Sequence, residues 1–343
     1  RDVLGSRGLG DVYKRQDFTM SNFNCTLSII VPNYNYAHYL DERLQSILNQ
    51  TFQDFELILL DDASTDNSAE VLNKYKTHPK VSQIIINEKN SGSPFKQWMK
   101  GISLAKGKWI WIAEADDSAE LNFLETCMQH VNEENLSFVY TGTKCMNDKS
   151  EYIEGDFNLW NGREKDGYAT FSGKDFASHN LYWRNTVINA SAAIFSKEKA
   201  LHLQHEDFLK MRNCGDWLFW FRMALQGNVT EIYENLNIYR FHQSQTRKGM
   251  ESGLIWEEAF SASLYMEAYF PEFSNYKKKL HHACIYRIVR KMKDRTIKKN
   301  LRNLYKQAFH SSPVLDYYFL KLNLHLSFIP WIMTAEKERL RKE

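Results

Sequence analysis

The sequence predicts an α/β fold: a mostly parallel sheet flanked by helices, with a helical C-terminal extension. Three observations carry this. Short apolar runs such as Glu56-Leu57-Ile58-Leu59-Leu60 and Trp109-Ile110-Trp111-Ile112-Ala113 break off into polar residues, as buried parallel strands do. Segments with apolar residues at helical spacing lie between successive runs, the alternation that builds right-handed crossovers. After Gly253 the strand pattern stops and long helical periodicities follow.

In order, residues 27–31 read as a first strand that Pro32 ends, followed by a helix carrying Leu40, Leu44, Ile47 and Leu48. A second strand closes at Leu60, and Ala63-Ser64-Thr65-Asp66 supplies N-cap residues for a helix bearing Val71, Leu72 and Tyr75. Residues 81–86 form a third strand. Ser93-Pro94 opens a helix as N-cap and first-turn proline, with Gly107 as its C-terminal stop. The fourth strand spans 109–113. A helix over 121–131 and a strand over 138–141 follow, and residues 149–184 read as loops. Trp160, Tyr168, Tyr182 and Trp183 in that stretch fit burial better than a sugar-binding surface. Residues 187–195 resume as a strand, Asp216 opens an apolar helix through Leu225, and 229–233 and 236–241 are the final strands.

The 343 residues suffice for one large α/β domain plus an appendage: 1–22 as a disordered or artefactual leader, 23–250 as the main domain, and 251–343 as a basic helical region. With 44 basic and 42 acidic residues, the net charge of +2 gives no argument for nucleic acid. The five cysteines are scattered and form no C-x-x-C pair, so neither a zinc site nor a disulfide framework is indicated and a reducing, cytoplasmic setting is expected. Asn189-Ala190-Ser191 and similar glycosylation matches follow no apolar signal sequence and read as chance. No run of eighteen uncharged apolar residues is present.

Chemistry concentrates where strands end. In open α/β sheets ligands bind outside the carboxyl ends of the strands. Acids gathered there, Asp61-Asp62 and Glu114-Ala115-Asp116-Asp117, suggest a metal and a polar ligand, since they repel one another unless compensated. Asp116 and Asp117 can supply the hard oxygen ligands that Mg²⁺ or Mn²⁺ prefers.

Several ordered motifs resemble the inverting glycosyltransferase family 2, whose catalytic domain has the nucleotide-binding glycosyltransferase A fold. They are Ser28-Ile29-Ile30-Val31-Pro32-Asn33-Tyr34-Asn35, Gln50-Thr51-Phe52-Gln53-Asp54-Phe55-Glu56, Asp61-Asp62-Ala63-Ser64-Thr65-Asp66, Asn90-Ser91-Gly92, and the acids ending at Asp117. The resemblance spans residues 26–246. It implies that Pro32 and Tyr34 flank the nucleotide base, that Asp62 bonds the uracil edge, that Asp117 binds the metal, and that Asp116 sits by the ribose and diphosphate with a share in the metal. Glu114 stands where the family often has Asp. Asp216, in Asn213-Cys214-Gly215-Asp216-Trp217, resembles the family's general base, which the helix N-terminus would keep ionised. His242 resembles a histidine that approaches the metal or diphosphate, with Arg240, Arg247 and Lys248 near.

Plainer readings compete: Asp62 as an N-cap or Asx turn, the acid cluster and Asp216 as helix caps, Tyr34 as core, and His242 as structural. Where many relatives have Ala-Arg-Asn, this chain has Gln97-Trp98-Met99, which leaves Lys96 as a substitute cation at the donor or as a solvated surface residue. The Gln-x-x-Arg-Trp signature of processive synthases is absent, so the resemblance implies transfer of one sugar, from a UDP-linked donor to a glycan or lipid-linked hydroxyl acceptor. A noncatalytic sugar-nucleotide or glycan-binding module and a sugar-phosphate nucleotidyltransferase are the rival classes. The latter calls for a Gly-rich phosphate loop that Pro32-Asn33-Tyr34-Asn35 does not offer.

Between Lys277 and Lys306 the chain is basic with the single acid Asp294, and residues 314–333 add Tyr317, Tyr318, Phe319, Leu322, Phe328 and Trp331. Such a pair of segments suits peripheral contact with the anionic inner face of the cell membrane. A helical lid or a homodimer contact is the alternative.

Overall fold

Alternation of apolar residues sends the side chains of each central strand to two different cores. In a computed structural model, which describes residues 25–155, 157–158, 167–203, 207–242 and 251–340, β1 (Leu27–Asn33) and β2 (Phe55–Asp61) are buried at every position. Leu27, Ile29 and Val31 join Leu57, Leu59 and Trp111 on one face, under α1 (Ala37–Leu48) and α2 (Ser68–Lys74). Ile30, Ile58, Leu60, Ile110 and Ile112 face the other way, toward α3 (Pro94–Leu104) and α7 (Gly215–Ala224).

With β3 (Val81–Ile86) and β4 (Trp109–Ile112), the first four strands pair in parallel in the order β3-β2-β1-β4. The second half is mixed. After β5 (Ser118–Ala119), α4 (Phe123–Met128), β6 (Leu136–Met146), β7 (Tyr152–Ile153), β8 (Tyr168–Phe171) and α5 (Gly173–Phe176), β9 (Ala193–Ser196) inserts antiparallel between β4 and β6. The short α6 (Lys197–Leu201) follows, and β10 (Asn228–Arg240) closes the path parallel to β6 and antiparallel to β5.

Several boundaries differ from the sequence reading. Pro32 does not end β1. It pairs with Leu60 of β2, and β4 has already stopped opposite Ile30, so the missing N–H costs no ladder bond on that side. Gly107 is not a helix stop, since α3 ends at Leu104. A Cβ on Gly107 would lie 2.6 Å from the Ser28 nitrogen, so glycine is there to let the chain pass against β1. The segments 229–233 and 236–241 are one strand, because the polar break at Glu234 and Asn235 is a bulge in the β6 ladder. Helix α4 is shorter than the span 121–131, and β6 is longer than 138–141. Only residues 193–195 of the strand expected over 187–195 are extended, behind a 3₁₀ turn at Ala190–Ala192. The stretch 149–184 holds β7, β8, α5 and a π-helical turn at Ala177–Leu181. Tyr182 and Trp183 are buried there and Tyr168 is exposed, while Trp160 lies outside the described residues, as does the 1–22 leader.

Beyond the sheet come α8 (Leu254–Ala268), α9 (Asn275–Val289), α10 (Arg295–Phe309), α11 (Pro313–His325) and α12 (Ala335–Glu338). Trp256, Phe260, Met266, Leu280 and Tyr286 of these helices belong to the same apolar cluster as Trp217 and Trp220 of α7. Among the described residues, no helix is long and apolar enough to cross a membrane.

Candidate active site

In the order β3-β2-β1-β4 the strands build outward on one side of β1 and then return to its other side, so the strand order switches between the parallel β1 and β4, and the crevice beyond their carboxyl ends is where ligands bind in such sheets. Tyr34, just past β1, is 46% exposed, so it is not core and offers a ring face at this crevice. Pro32 is buried behind it. Asp61 holds the turn after β2: its Oδ1 accepts from Asn33 Nδ2 at 2.7 Å and Ser64 Oγ at 2.6 Å, and its Oδ2 from Ser64 N at 2.9 Å. Ala63 is thereby kept at a φ of 59°.

The turn-forming role weighed for Asp62 thus belongs to its neighbour. Asp62 reaches across instead to the loop before α3. Its Oδ1 accepts from Asn87 Nδ2 (2.7 Å), Gln97 Nε2 (2.7 Å) and Ser91 N (2.9 Å), and its Oδ2 from Ser91 Oγ (2.8 Å). Gln97, which sequence comparison marks only as a departure, is the buried side chain that seats Asp62. Lys96 is exposed and donates to the Ser91 carbonyl at 3.0 Å.

The acids after β4 divide their work. Glu114 turns inward, accepting from Trp98 Nε1 at 2.8 Å; burial and then the charge of Asp116 push its carboxyl up to about 8. Asp117 is 2% exposed. Its Oδ2 accepts from Asn189 Nδ2 and from Ser191 Oγ at 2.6 Å, and its Oδ1 from Arg240 N at 2.9 Å. Burial and Asp116 hold Asp117 above the usual carboxylate range against the pull of Arg43. Arg43, wholly buried on α1, lies 4.6 Å over the Trp111 ring with none of its nitrogens hydrogen-bonded, so it opposes the acids by charge alone. None of the three acids is a helix cap: α4 begins at Phe123 behind Asn122.

Asp116 Oδ2 lies 2.8 Å from His242 Nε2, and His242 Nδ1 lies 2.5 Å from Asp148 Oδ1. The bond to Asp116 is the main reason the imidazole is held above its ordinary value, and the ring stacks on Tyr36 at 5.7 Å. Arg240 is fully buried, with Nε on the Asp116 carbonyl (2.7 Å) and Nη2 on Glu42 (2.9 Å), fastening the acidic loop. Arg247 and Lys248 lie outside the described residues. Among the described residues no set of three or more His, Cys, Asp or Glu side chains is spaced to hold an ion unaided.

Asp216 stands in the first turn of α7 behind the N-cap Cys214, so it does not cap the helix by position. Two features place it. A Cβ on Gly215 would come 2.3 Å from the Phe95 ring, so α7 is pressed onto α3. Glu258 of α8 accepts from the backbone nitrogens of Arg212 (2.8 Å), Asn213 (2.7 Å) and Cys214 (2.9 Å), fixing the approach to the helix. Asn185 Nδ2 donates to Asp216 Oδ2 at 2.9 Å. The helix N-terminus does pull the carboxyl down as expected, but burial outweighs it and raises Asp216 to about 6. Burial first, and then the charges of Asp117, Asp116, Cys145 and Asp216 in that order, raise the Tyr239 hydroxyl.

Comparison with known proteins decides the family. The model for "Glycosyl transferase family 2" matches residues 28–202, just over half the chain. The chain belongs to glycosyl transferase family 2. It is 34% identical over 242 residues to glycosyltransferase GlyG of Streptococcus pneumoniae serotype 4, covering 67% of this chain and 75% of that one. It is 23% identical over 199 residues to the putative teichuronic acid biosynthesis glycosyltransferase TuaG of Bacillus subtilis, covering 58% and 73%. In fold it is similar to S. aureus TarS 1-349, with a TM-score of 0.59, 17% identity and 91% and 88% coverage. It is also similar to the mannosyltransferase PcManGT from Pyrobaculum calidifontis, solved with GDP-Man and Mn2+, with a TM-score of 0.53, 14% identity and 92% and 86% coverage.

In this glycosyltransferase hydrogen bonds join the acids after β4 to Arg240 and His242 at the end of β10, Asp62 to the loop before α3 and to Gln97, and Asp216 to Asn185. The supporting residues escaped the sequence reading. Asn189 and Ser191, dismissed as part of a chance glycosylation match, hold Asp117; Asn185 holds Asp216; Trp98 holds Glu114. The usable signal was a run of small polar residues just ahead of a buried strand. Nothing in the sequence pattern marks Glu258, which acts from a helix far along the chain.

Proposed function

We propose that this glycosyltransferase moves a single sugar, with inversion, from a UDP-linked donor to a hydroxyl of a surface glycan or glycolipid, with Asp216 as general base. The observation that carries the reading is geometric: Asp216, in the first turn of α7 with Asn185 donating to it and burial raising it to about 6, is separate from the Asp116–Asp117 centre held by Ser191, Arg240 and His242. A base of that strength is ionised at neutral pH yet basic enough to accept a hydroxyl proton as the oxygen attacks. Tyr34 and Pro32 would border the base of the donor, Asp62 its edge, and Lys96 the anionic side.

The donor set suits Mg²⁺ or Mn²⁺, which favour hard oxygen ligands and complete their shells with phosphate and water. A carboxylate offers about four acceptor positions. Three hydrogen bonds on Asp117 leave room for a cation, and Asp116 spends only Oδ2 on His242. When bound, the ion neutralises charge on the departing diphosphate. Asp116 and Asp117 would hold it, while His242, whose imidazole Asp116 and then Asp148 hold above its ordinary value, would stand beside the diphosphate. Nucleotide release from a panel of UDP- and GDP-sugars, with Mn²⁺ or Mg²⁺ and with EDTA, tests donor and metal. NMR of the product's anomeric proton tests inversion. Retention of configuration, or metal-independent turnover, overturns those parts of the reading.

A peripheral position on the cytoplasmic face of the membrane is supported by exposed apolar side chains along α11 and in the segment just beyond it. Leu315 (67%), Tyr318 (60%), Phe328 (78%) and Trp331 (83%) are exposed near Lys321. The amphipathic α10 is not the contact itself, because its Leu301 and Tyr305 are buried against the other helices. Apolar anchors with a basic neighbour suit an anionic lipid surface.

A further inference from the structure

The C-terminal helices enclose, with residues 183–185 and Trp217, a groove of about 1050 Å³. Its one end lies at the proposed base, because Asn185, the donor to Asp216, is part of the lining. The charges in the lining are lopsided: Arg184, Arg287, Lys337 and Arg339 against Glu336, which already has a partner. Lys337 is spent on the carbonyls of Ile329 and Ile332. The guanidiniums are not spent. Arg339 gives Nη2 to Glu231 at 3.0 Å, but its Nε and Nη1 are buried without an acceptor, on a side chain only 9% exposed. Arg184 and Arg287 have no carboxylate partner among the described residues, and after burial it is Arg339 and Arg287 that hold Arg184 below its ordinary value.

Two further donors in the lining, Trp183 Nε1 and Trp256 Nε1, are also buried without an acceptor. Each such group costs about 1–3 kcal/mol when left unpaired. Their concentration in one groove, together with three like charges, is what a chain tolerates where an anion completes the structure. Guanidiniums carried by α9, by the loop after Leu181 and by the segment after α12 line the one groove, and each can pair bidentately with the oxygens of a phosphate.

We propose that this groove binds the acceptor through a phosphate group, held by Arg184, Arg287 and Arg339 beside the indoles of Trp183 and Trp256, so that the acceptor hydroxyl is delivered to Asp216. Naming the ligand an acceptor rests on the reading of Asp216 as base; phosphate binding in the groove does not.

The test titrates the full chain with glycerol 3-phosphate, citronellyl phosphate and uncharged maltotriose while UDP is held at saturation, reading tryptophan fluorescence at constant ionic strength. The wild type gives a saturable response to a phosphate probe and none to maltotriose. Arg184→Gln/Arg287→Gln weakens the phosphate response at least tenfold, Arg287→Lys retains part of it, and the affinity for UDP, titrated separately, stays within twofold. A stronger response to citronellyl phosphate assigns the phosphate to a lipid-linked acceptor, and an equal or stronger one to glycerol 3-phosphate assigns it to a phosphate-bearing glycan. Equal phosphate affinity in wild type and double variant, or no saturable response, overturns the proposal. If the double variant does not fold, amide exchange of the wild type decides: glycerol 3-phosphate must protect residues 181–187 and 284–288, and absence of protection rejects the site. Failure to bind UDP with phosphate binding intact would count against the donor reading alone.

Discussion

Replacing Asn185 with leucine isolates one physical quantity, the hydrogen bond that favours the charged form of Asp216. Burial raises this carboxyl to about 6, and Asn185 acts against that rise. The bond is 2.9 Å long and made to an ionised oxygen, a class worth about 1.5–3 kcal/mol. At 1.36 kcal/mol per pKa step, its loss moves the base upward by about 1–2. Leucine keeps the branched four-atom shape of the side chain and removes the donor. The rate of transfer at saturating acceptor therefore rises through a midpoint near 6 in the wild type and through one near 7–8 in the variant, so that the deficit is large at pH 6.5 and closes by pH 9. The assay is a pH profile of kcat by nucleotide release. An unmoved midpoint, or one displaced downward, refutes the assignment of Asp216 as the titrating base.

Other consequences concern stability and binding. Because the folded-state carboxyl of Asp216 lies above its unfolded value of 3.8, its contribution favours the fold below that pH and is lost as pH rises through about 6. Asp216→Asn therefore stabilises the protein above pH 7 by about 1–3 kcal/mol, discounted for its partly open rim, seen as a rise in Tm that vanishes near pH 4. Gln97→Leu removes a donor from Asp62 and leaves its carboxylate loosely seated; UDP affinity falls about tenfold with little change in the far-UV spectrum, and an unaltered affinity would detach Asp62 from donor binding. Phe328→Ala/Trp331→Ala lowers flotation with phosphatidylglycerol vesicles while leaving transfer to a water-soluble acceptor unchanged; equal flotation removes the membrane contact.

The sheet and its acids were legible because burial writes itself into the sequence. Leu27 to Val31, Leu57 to Leu60 and Ile110 to Ile112 face both cores, and strands covered on both sides must be continuously apolar. Asp62 and Asp117 stood out because acids next to such runs are costly, and Asp216 through its resemblance to the family's general base. Polar residues that serve other polar residues were not legible. Gln97, Asn185, Asn189 and Glu258 are ordinary in composition, and only tertiary packing gives them their roles: α3 carries Gln97 to Asp62, the pairing of β9 with β4 brings Asn189 to Asp117, the chain after the π-helical turn brings Asn185 to Asp216, and α8 on α7 sets Glu258 under residues 212–214. Pro32 and Gly107 were misjudged for a related reason. Local rules treat proline and glycine as stops, whereas here the deciding fact is a neighbour: β4 ending opposite Ile30, and β1 lying against the glycine.

The central claim is that one crevice holds a donor-binding acidic centre and a separate base. Turnover and UDP affinity measured side by side in Asp216→Asn and Asp117→Asn, with Mn²⁺ present, test it most directly. The account predicts that Asp216→Asn binds UDP as the wild type does but loses about 10²–10⁴ in transfer rate, while Asp117→Asn loses metal-dependent UDP binding. Transfer by Asp216→Asn at the wild-type rate would contradict it.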